Sequence, residues 1–493
     1  MLRYASFFST YTPKEKGFKS ILFSENREGW IYALLGIWLN RGIVVPVDFK
    51  SIPLDIVYII KDCQPDCLWT SRERESVARE AMKIAGVNIP ILIIDDYERE
   101  DIPETTKPAY IEYNSSDVAG IFYTSGTEGT PKGVMLSFGN LIADMEGLCL
   151  SLGSRAHRLR SILLLPLHHS LPFTASLLLP LKYGKYVAFS PSFMSSDIIA
   201  TIKRYEIESI VGVPALWNIF IPAIKKKICA KTLSRIMFYI CKCLQWRWLS
   251  RKVFKRLYET IGEHFAFISG GASLSKSIVE DCKSLGIALC EGYGMTETSP
   301  VVCFTPVDEI HPGSVGRPLP NVDVTIINGE ICVKGPVVMQ GYYNRPEETA
   351  ARFDRDGWFH TGDLGHFDKK GRLYVTDRIK DIIVLSNGKN ISPEEIENKL
   401  LQHSDIVSEL AVVQDGDILR AIIVPNPYWA GKRSEADLER ALHEELISPY
   451  NRDIQTYKKI LAITVYHGQL PRNRIGKLQR YKLTPSLSRE SNV

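Results

Sequence analysis

Apolar and polar positions switch between two periods along most of the chain. In GWIYALLGIWLNRG (29–42) the apolar residues recur at helical spacing, and IVVPVDF (43–49) follows as a short apolar run. The first pattern predicts a helix with a buried face, the second a strand. The same couple returns at DIVYIIKDC and PDCLWTS, then at DIIATIKRYEIE and SIVGVPA. Repeated alternation of this kind predicts an α/β fold with a largely parallel sheet. Such sheets bind ligands at the loops beyond the strand C-termini.

The texture changes near residue 312. GSVGRPLPNVDVTIINGEICVKGPVVMQGYY is rich in Val, Ile, Gly and Pro and holds the turn pair Asn328–Gly329, which predicts a small antiparallel β unit. A second change follows GRLYVTDRIKD (371–381). SPEEIENKLLQ reads as a helix, with Ser392 as its cap, Pro393 in its first turn and Glu395 three residues after the cap. Strands in ELAVVQD and LRAIIVP and the charged helix SEADLERALHEELI complete an α+β pattern. The expected organisation is a large N-terminal domain of layered α/β sheets with a small β unit over 1–377. A small mobile α+β domain over 381–493 follows it, with the hinge at Asp377–Asp381.

Composition narrows the class. The 493 residues are 45% hydrophobic and 24% charged, which excludes disordered, collagenous and coiled-coil chains. Sixty Lys and Arg against 56 Asp and Glu leave a net charge of +4, too weak to imply a nucleic-acid partner. Ten cysteines occur without a CxxC pair or an accompanying His cluster, so reduced thiols are expected rather than zinc. The N-terminus lacks the apolar core of a secretory signal. Ser161–Leu181 has spanning length and no formal charge, but three prolines and a His-His pair argue for a buried strand–turn–helix. A cytoplasmic protein is expected.

The sharpest chemical signal is IFYTSGTEGTPKGVMLS (121–137). Glycines let the backbone approach an anion, and successive N–H groups with hydroxyls wrap a phosphate. Thr124, Ser125, Gly126, Thr127, Gly129 and Thr130 supply both, and Lys132 adds a positive charge. The lysine follows Pro131 and precedes Gly133, so this is not a Walker loop.

YTSGTEGTPKG resembles the phosphate-loop signature of the adenylate-forming superfamily, which includes acyl-CoA synthetases, peptide-synthetase adenylation domains and luciferases. Other stretches fit the resemblance in the family's order, from about residue 17 to 482. CEGYGMTETSP is similar to the adenine-binding signature and covers Glu291, Gly292, Tyr293 and Gly294. Tyr293 offers a ring face to a purine, and the two glycines permit close backbone approach. Thr296 and Glu297 offer oxygen ligands suited to Mg²⁺ carrying ATP phosphates. FISGGASL is similar to a second glycine turn lining the adenine pocket, with Gly270, Gly271 and Ala272.

In HTGDLG the resemblance assigns Asp363 to the ribose hydroxyls, since a carboxylate accepts two hydrogen bonds at once. In VTDRIKD it places Arg378 near the ribose and Lys380 at the hinge. LPRNRIGKLQR is similar to the C-terminal lysine motif and gives Lys477, whose ammonium would bridge the attacking carboxylate and the α-phosphate. His169 falls at the position near the substrate carboxylate, within leucine-rich surroundings suited to an acyl channel.

The resemblance thus implies ATP and Mg²⁺, a fatty acid substrate that is probably long-chain, and CoA as thiol acceptor. An acyl carrier protein as acceptor is the first alternative. A nucleotide-binding relative with weak turnover is the second, because Glu128 stands where the loop often has a threonine and a carboxylate repels phosphates. Relatives usually carry some tens of residues before KGFKSILFSENREGWIYAL, so a weakened edge of the first domain is expected. A peptide-synthetase module is disfavoured because no carrier domain follows residue 482. Residues 224–258 form a basic, apolar insert like those of long-chain ligases. It suits an anionic membrane surface entered by Trp246, Trp248 and Phe254, or an acidic carrier protein or the CoA phosphates.

Overall fold

The structure is a computed structural model and describes residues 1–98, 111–124, 131–192, 194–261, 266–385, 390–403, 405–431, 433–452, 454–472 and 478–483. Helix α1 (Leu2–Ser9) precedes β1 (Lys19–Phe23) and α2 (Glu28–Leu39). Strands β2 (Ile43–Pro46), β3 (Cys67–Thr70), β4 (Ile91–Ile93) and β5 (Val118–Thr124) join β1 in parallel, in the order β5-β2-β1-β3-β4. β6 (Lys132–Ser137) returns antiparallel to β5, pairing Lys132 with Thr124. α1 buries Ala5 and Phe8 completely, and the Phe8 ring stacks on Trp69 at 5.1 Å. Gly36 of α2 admits this approach, because a Cβ there would lie 3.0 Å from the Ser9 amide.

After α3 (Phe138–Leu152) a second sheet forms. Its parallel strands are β7 (Ser161–Leu163), β8 (Val187–Phe189), β9 (Ser209–Gly212), β10 (Ala266–Ser269) and β11 (Leu289–Tyr293). β12 (Cys303–Phe304) and β13 (Arg317–Pro318) extend it antiparallel. The proline-bearing run 161–181 is a strand, a turn and a helical segment whose first part, Pro172–Leu178, is a π-helix. Among the described residues no helix is long and apolar enough to cross a membrane. Between β9 and β10 lie α4 (Pro214–Cys229), α5 (Thr232–Leu244) and α6 (Arg247–Val253).

The β-rich run near 312 is not self-contained. β14 (Asp323–Ile327) and β15 (Glu330–Lys334) form the expected hairpin, with Asn328 and Gly329 both at positive φ (51° and 86°). That geometry suits the twist of a two-residue hairpin. β16 (Gly341–Tyr342), however, pairs with β6 of the first sheet, and β13 belongs to the second. One short segment therefore stitches three sheets. β17 (Phe359–Phe367) and β18 (Leu373–Arg378) complete the four-stranded antiparallel layer β14-β15-β17-β18.

Past a short 3₁₀ turn at Ile379–Asp381 come β19 (Ile383–Val384), β20 (Asn390–Ile391) and α7 (Pro393–Leu400). Ser392 caps α7 by accepting from the Glu395 amide at 2.9 Å. The Glu395 carboxylate instead pairs with Lys399 and Lys458, so only half of a reciprocal cap forms. β21 (Val407–Asp415), β22 (Ile418–Pro425) and β23 (Ile460–Val465) make a three-stranded sheet, the last strand parallel to β22. Leu400, Leu410 and Leu442 belong to its separate core.

Candidate active site

The strand ends of both parallel sheets open on one cavity of about 1980 Å³. That exceeds the usual few hundred to about 1,000 Å³ of a single small-molecule site, so it has room for a nucleotide beside a second substrate. Of the expected residues, Thr124, Lys132, His169, Gly270, Gly271, Gly292, Tyr293, Gly294, Thr296, Glu297, Arg378 and Lys380 line it. Ser125, Gly126, Thr127, Glu128, Gly129, Thr130 and Lys477 lie outside the described residues. Arg472 and Leu478, which bracket Lys477, pair with each other and line the same cavity.

Gly294 shows why the stretch after β11 is glycine-rich. A Cβ there would sit 2.1 Å from the Pro300 carbonyl oxygen. The chain then turns through Thr296–Thr298, which presents Thr296 and Glu297 side by side. Ser170 Oγ donates to Thr296 Oγ1 at 3.2 Å, and the Tyr342 hydroxyl donates to Glu297 Oε1 at 2.9 Å. Tyr342 also lies under Lys132, whose Nζ is 5.4 Å from the ring centroid. Lys132 forms an ion pair with Glu348, which holds that carboxyl below its ordinary range.

Asp363 is buried just behind the cavity wall. It accepts from the Tyr293 hydroxyl at 2.9 Å and pairs with Arg378 Nε at 2.9 Å. Burial, then the adjacent Asp363 charge, drives the Tyr293 phenol well above its ordinary range, so it stays a donor. The turn before Asp363 is braced. Glu330 accepts from the Gly362 amide at 2.7 Å and lies 2.8 Å from His360 Nδ1, and the Thr361 hydroxyl accepts from the Asp363 amide at 3.0 Å. Cys332 Sγ also lies 3.6 Å from His360 Nδ1, so one cysteine does keep histidine company. Every cysteine is a free thiol.

Glu291 and Ala272 stand apart from the cavity lining. Glu291 is buried in β11, where desolvation lifts its carboxyl to about 8, and Ala272 is exposed. His168 and His169 pack ring to ring at 3.9 Å and line the cavity, as do Leu148, Leu152, Leu159, Ala175 and Leu179. Sequence reasoning missed Ser170, Tyr342 and Glu348. Their partners are distant in the chain, 126 residues away for Ser170 and 45 for Tyr342, so local spacing carried no signal.

The model of the AMP-binding enzyme family matches residues 12–343, and that of the AMP-binding enzyme C-terminal domain matches 380–488. The 2-succinylbenzoate–CoA ligase of Bacillus licheniformis is 31% identical, over 95% of this chain and 90% of the relative. A chloroplastic long-chain-fatty-acid–[acyl-carrier-protein] ligase of Arabidopsis thaliana is 30% identical over 68% of this chain and 55% of the relative. Among solved structures, o-succinylbenzoate CoA synthetase from Bacillus subtilis with its acyl-adenylate intermediate is similar at a TM-score of 0.77 and 27% identity, over 98% of this chain and 90% of that one.

The chain belongs to the AMP-binding enzyme family, within the adenylate-forming superfamily. Its class is that of AMP-forming acid–thiol ligases, which work with ATP, Mg²⁺ and CoA. The residues fit the cation: a hydroxyl and a carboxylate on adjacent positions, both oxygen donors at the cavity wall, suit a hard ion that keeps part of its water and binds phosphate oxygens.

Proposed function

We propose that the protein activates a long-chain fatty acid as its acyl-adenylate, releases pyrophosphate, and transfers the acyl group to the thiol of CoA. The observation carrying this reading is the apolar share of the cavity lining. Leu148, Leu152, Leu159, Leu171, Ala175 and Leu179 line the cavity, and Leu148, Leu152, Leu159 and Leu179 belong to one buried apolar cluster. A second carboxylate seated among these side chains, as in a dicarboxylate such as 2-succinylbenzoate, would be costly to bury. An alkyl chain buries without that cost.

In the first half-reaction a carboxylate oxygen bonds to the α-phosphorus as the bond to pyrophosphate breaks. His169 sits near the acid, and Lys477 bridges the two anions. Thr296 and Glu297 would hold Mg²⁺, which would supply charge neutralisation at the phosphates. Tyr293, Asp363 and Arg378 fix the nucleoside. In the second half-reaction the thiolate sulfur bonds to the acyl carbon and AMP leaves. Rotation about Lys380 removes Lys477 and admits the thiol, so one cavity serves both steps.

The carrier-protein acceptor remains the second reading, supported by the similarity to a long-chain-fatty-acid–[acyl-carrier-protein] ligase. Pyrophosphate release with palmitate and with 2-succinylbenzoate, each with CoA or holo carrier protein, separates the cases. Turnover with palmitate and CoA is expected. Preference for 2-succinylbenzoate overturns the acid, preference for carrier protein overturns the acceptor, and ATP binding without release from any acid overturns the enzyme.

A further inference from the structure

We propose that the outer face of α5 and α6 is a docking surface for an anionic lipid bilayer. α5 is apolar on two sides. Phe238 and Cys241 face inward and are fully buried. On the other side Leu233 (73% exposed), Ile236, Ile240 and Leu244 follow each other at three- and four-residue steps, so they form one stripe. The stripe continues into Trp246 and Trp248, which are more than half exposed and stack on each other at 6.0 Å. Seven of the 23 exposed large apolar side chains among the described residues fall within 233–248. A patch so concentrated marks an interaction surface rather than scattered exposure.

Charge selects the partner. Lys226, Lys227, Lys231 and Arg235 are exposed around the stripe, and the sequence from 226 to 258 holds no Asp or Glu. Lys225 and Lys242 have a different role, reaching inward to Asp281 at 2.7 and 3.9 Å. Phe254, expected at the interface, is buried in the core beneath and does not take part. A second copy would set cations against cations. An apolar stripe ringed by cations and ended by two tryptophans matches an amphipathic helix lying in the plane of an anionic interface.

Resting on the fatty-acid reading, this face also has a reason to lie where it does. Val213 and Ala215 at the start of α4 line the cavity, and α4 runs roughly 18 Å to Lys226 and Lys227 near the patch. One helix thus spans from the cavity wall to the proposed docking surface.

The test is co-sedimentation of the full chain with vesicles of phosphatidylcholine alone and with 30% phosphatidylglycerol, for three proteins. These are the wild type, the apolar variant (Leu233→Ser, Ile236→Ser, Trp246→Ser, Trp248→Ser) and the charge variant (Lys226→Gln, Lys227→Gln, Lys231→Gln, Arg235→Gln). Wild type should partition onto the anionic vesicles with a blue shift of tryptophan fluorescence, and each variant should lose at least tenfold. Pyrophosphate release with soluble octanoate should stay unchanged in both, which shows them folded. Wild type that ignores anionic vesicles, or variants that bind as it does, overturns the proposal. So does loss of carrier-protein transfer with vesicle binding intact, or a dimer without vesicle binding that the variants dissolve. Vesicle binding without turnover of any fatty acid would sink the substrate reading and leave the docking surface standing.

Discussion

The Tyr293 hydroxyl and the Asp363 carboxylate meet at 2.9 Å, and that bond ties the end of β11 in the second sheet to β17 in the antiparallel layer. Arg378 completes the group from β18, directly opposite Asp363 in the ladder. Three strands thus fix one buried carboxylate just behind the cavity wall. Hydrogen bonds to charged groups contribute roughly 1.5–3 kcal/mol each. Asp363→Ala should therefore weaken ATP binding about 10- to 100-fold by titration calorimetry, and unchanged affinity would remove Asp363 from nucleotide binding.

Lys477→Ala should slow adenylate formation by roughly 10²-fold or more, the usual cost of losing a charge aimed at a transition state. Thioester formation from preformed acyl-adenylate should survive, because the lysine has by then left the site. Assaying the half-reactions separately decides it, and equal loss in both would refute the role.

How far the sequence carried this site depended on locality. The stretch 290–297 was legible as a cavity wall because it packs Gly292, Tyr293, Gly294, Thr296 and Glu297 into a few adjacent residues. Tyr342 was not, because β16 leaves its own hairpin region to pair with β6, and only that crossover brings the phenol to Glu297. Phe254 was misread for the opposite reason. Its aromatic ring among cations looks interfacial in one dimension, yet the helical turn points it at the core. The alternation of helix and strand predicted both parallel sheets. It could not show that the β-rich segment after 312 would be shared among three sheets, since pairing partners are set by tertiary packing.

Ala175 lies on the π-helical segment and lines the cavity. Ala175→Trp should fill the acyl chain's place, raise KM for palmitate at least tenfold and leave octanoate within about twofold. The added indole volume has no other outlet in a close-packed wall. Pyrophosphate release across a chain-length series checks it, and an unchanged series would move the acyl site elsewhere.

Glu291 makes stability depend on pH. Burial lifts its carboxyl from 4.5 to about 8, so the folded state holds a proton the unfolded state releases. Its stabilising contribution is present below pH 4.5 and declines as pH rises towards 8. Urea midpoints of wild type relative to Glu291→Gln should therefore fall between pH 5 and 8. Parallel curves for the two proteins would show that Glu291 does not titrate in this window.

The central claim is a bond between an acid's oxygen and the α-phosphorus of ATP. Palmitate labelled with ¹⁸O in its carboxyl group, turned over with ATP and CoA, puts it to trial by mass spectrometry of the nucleotide product. One ¹⁸O in AMP is the expected result. Unlabelled AMP, or ADP in its place, would contradict the account.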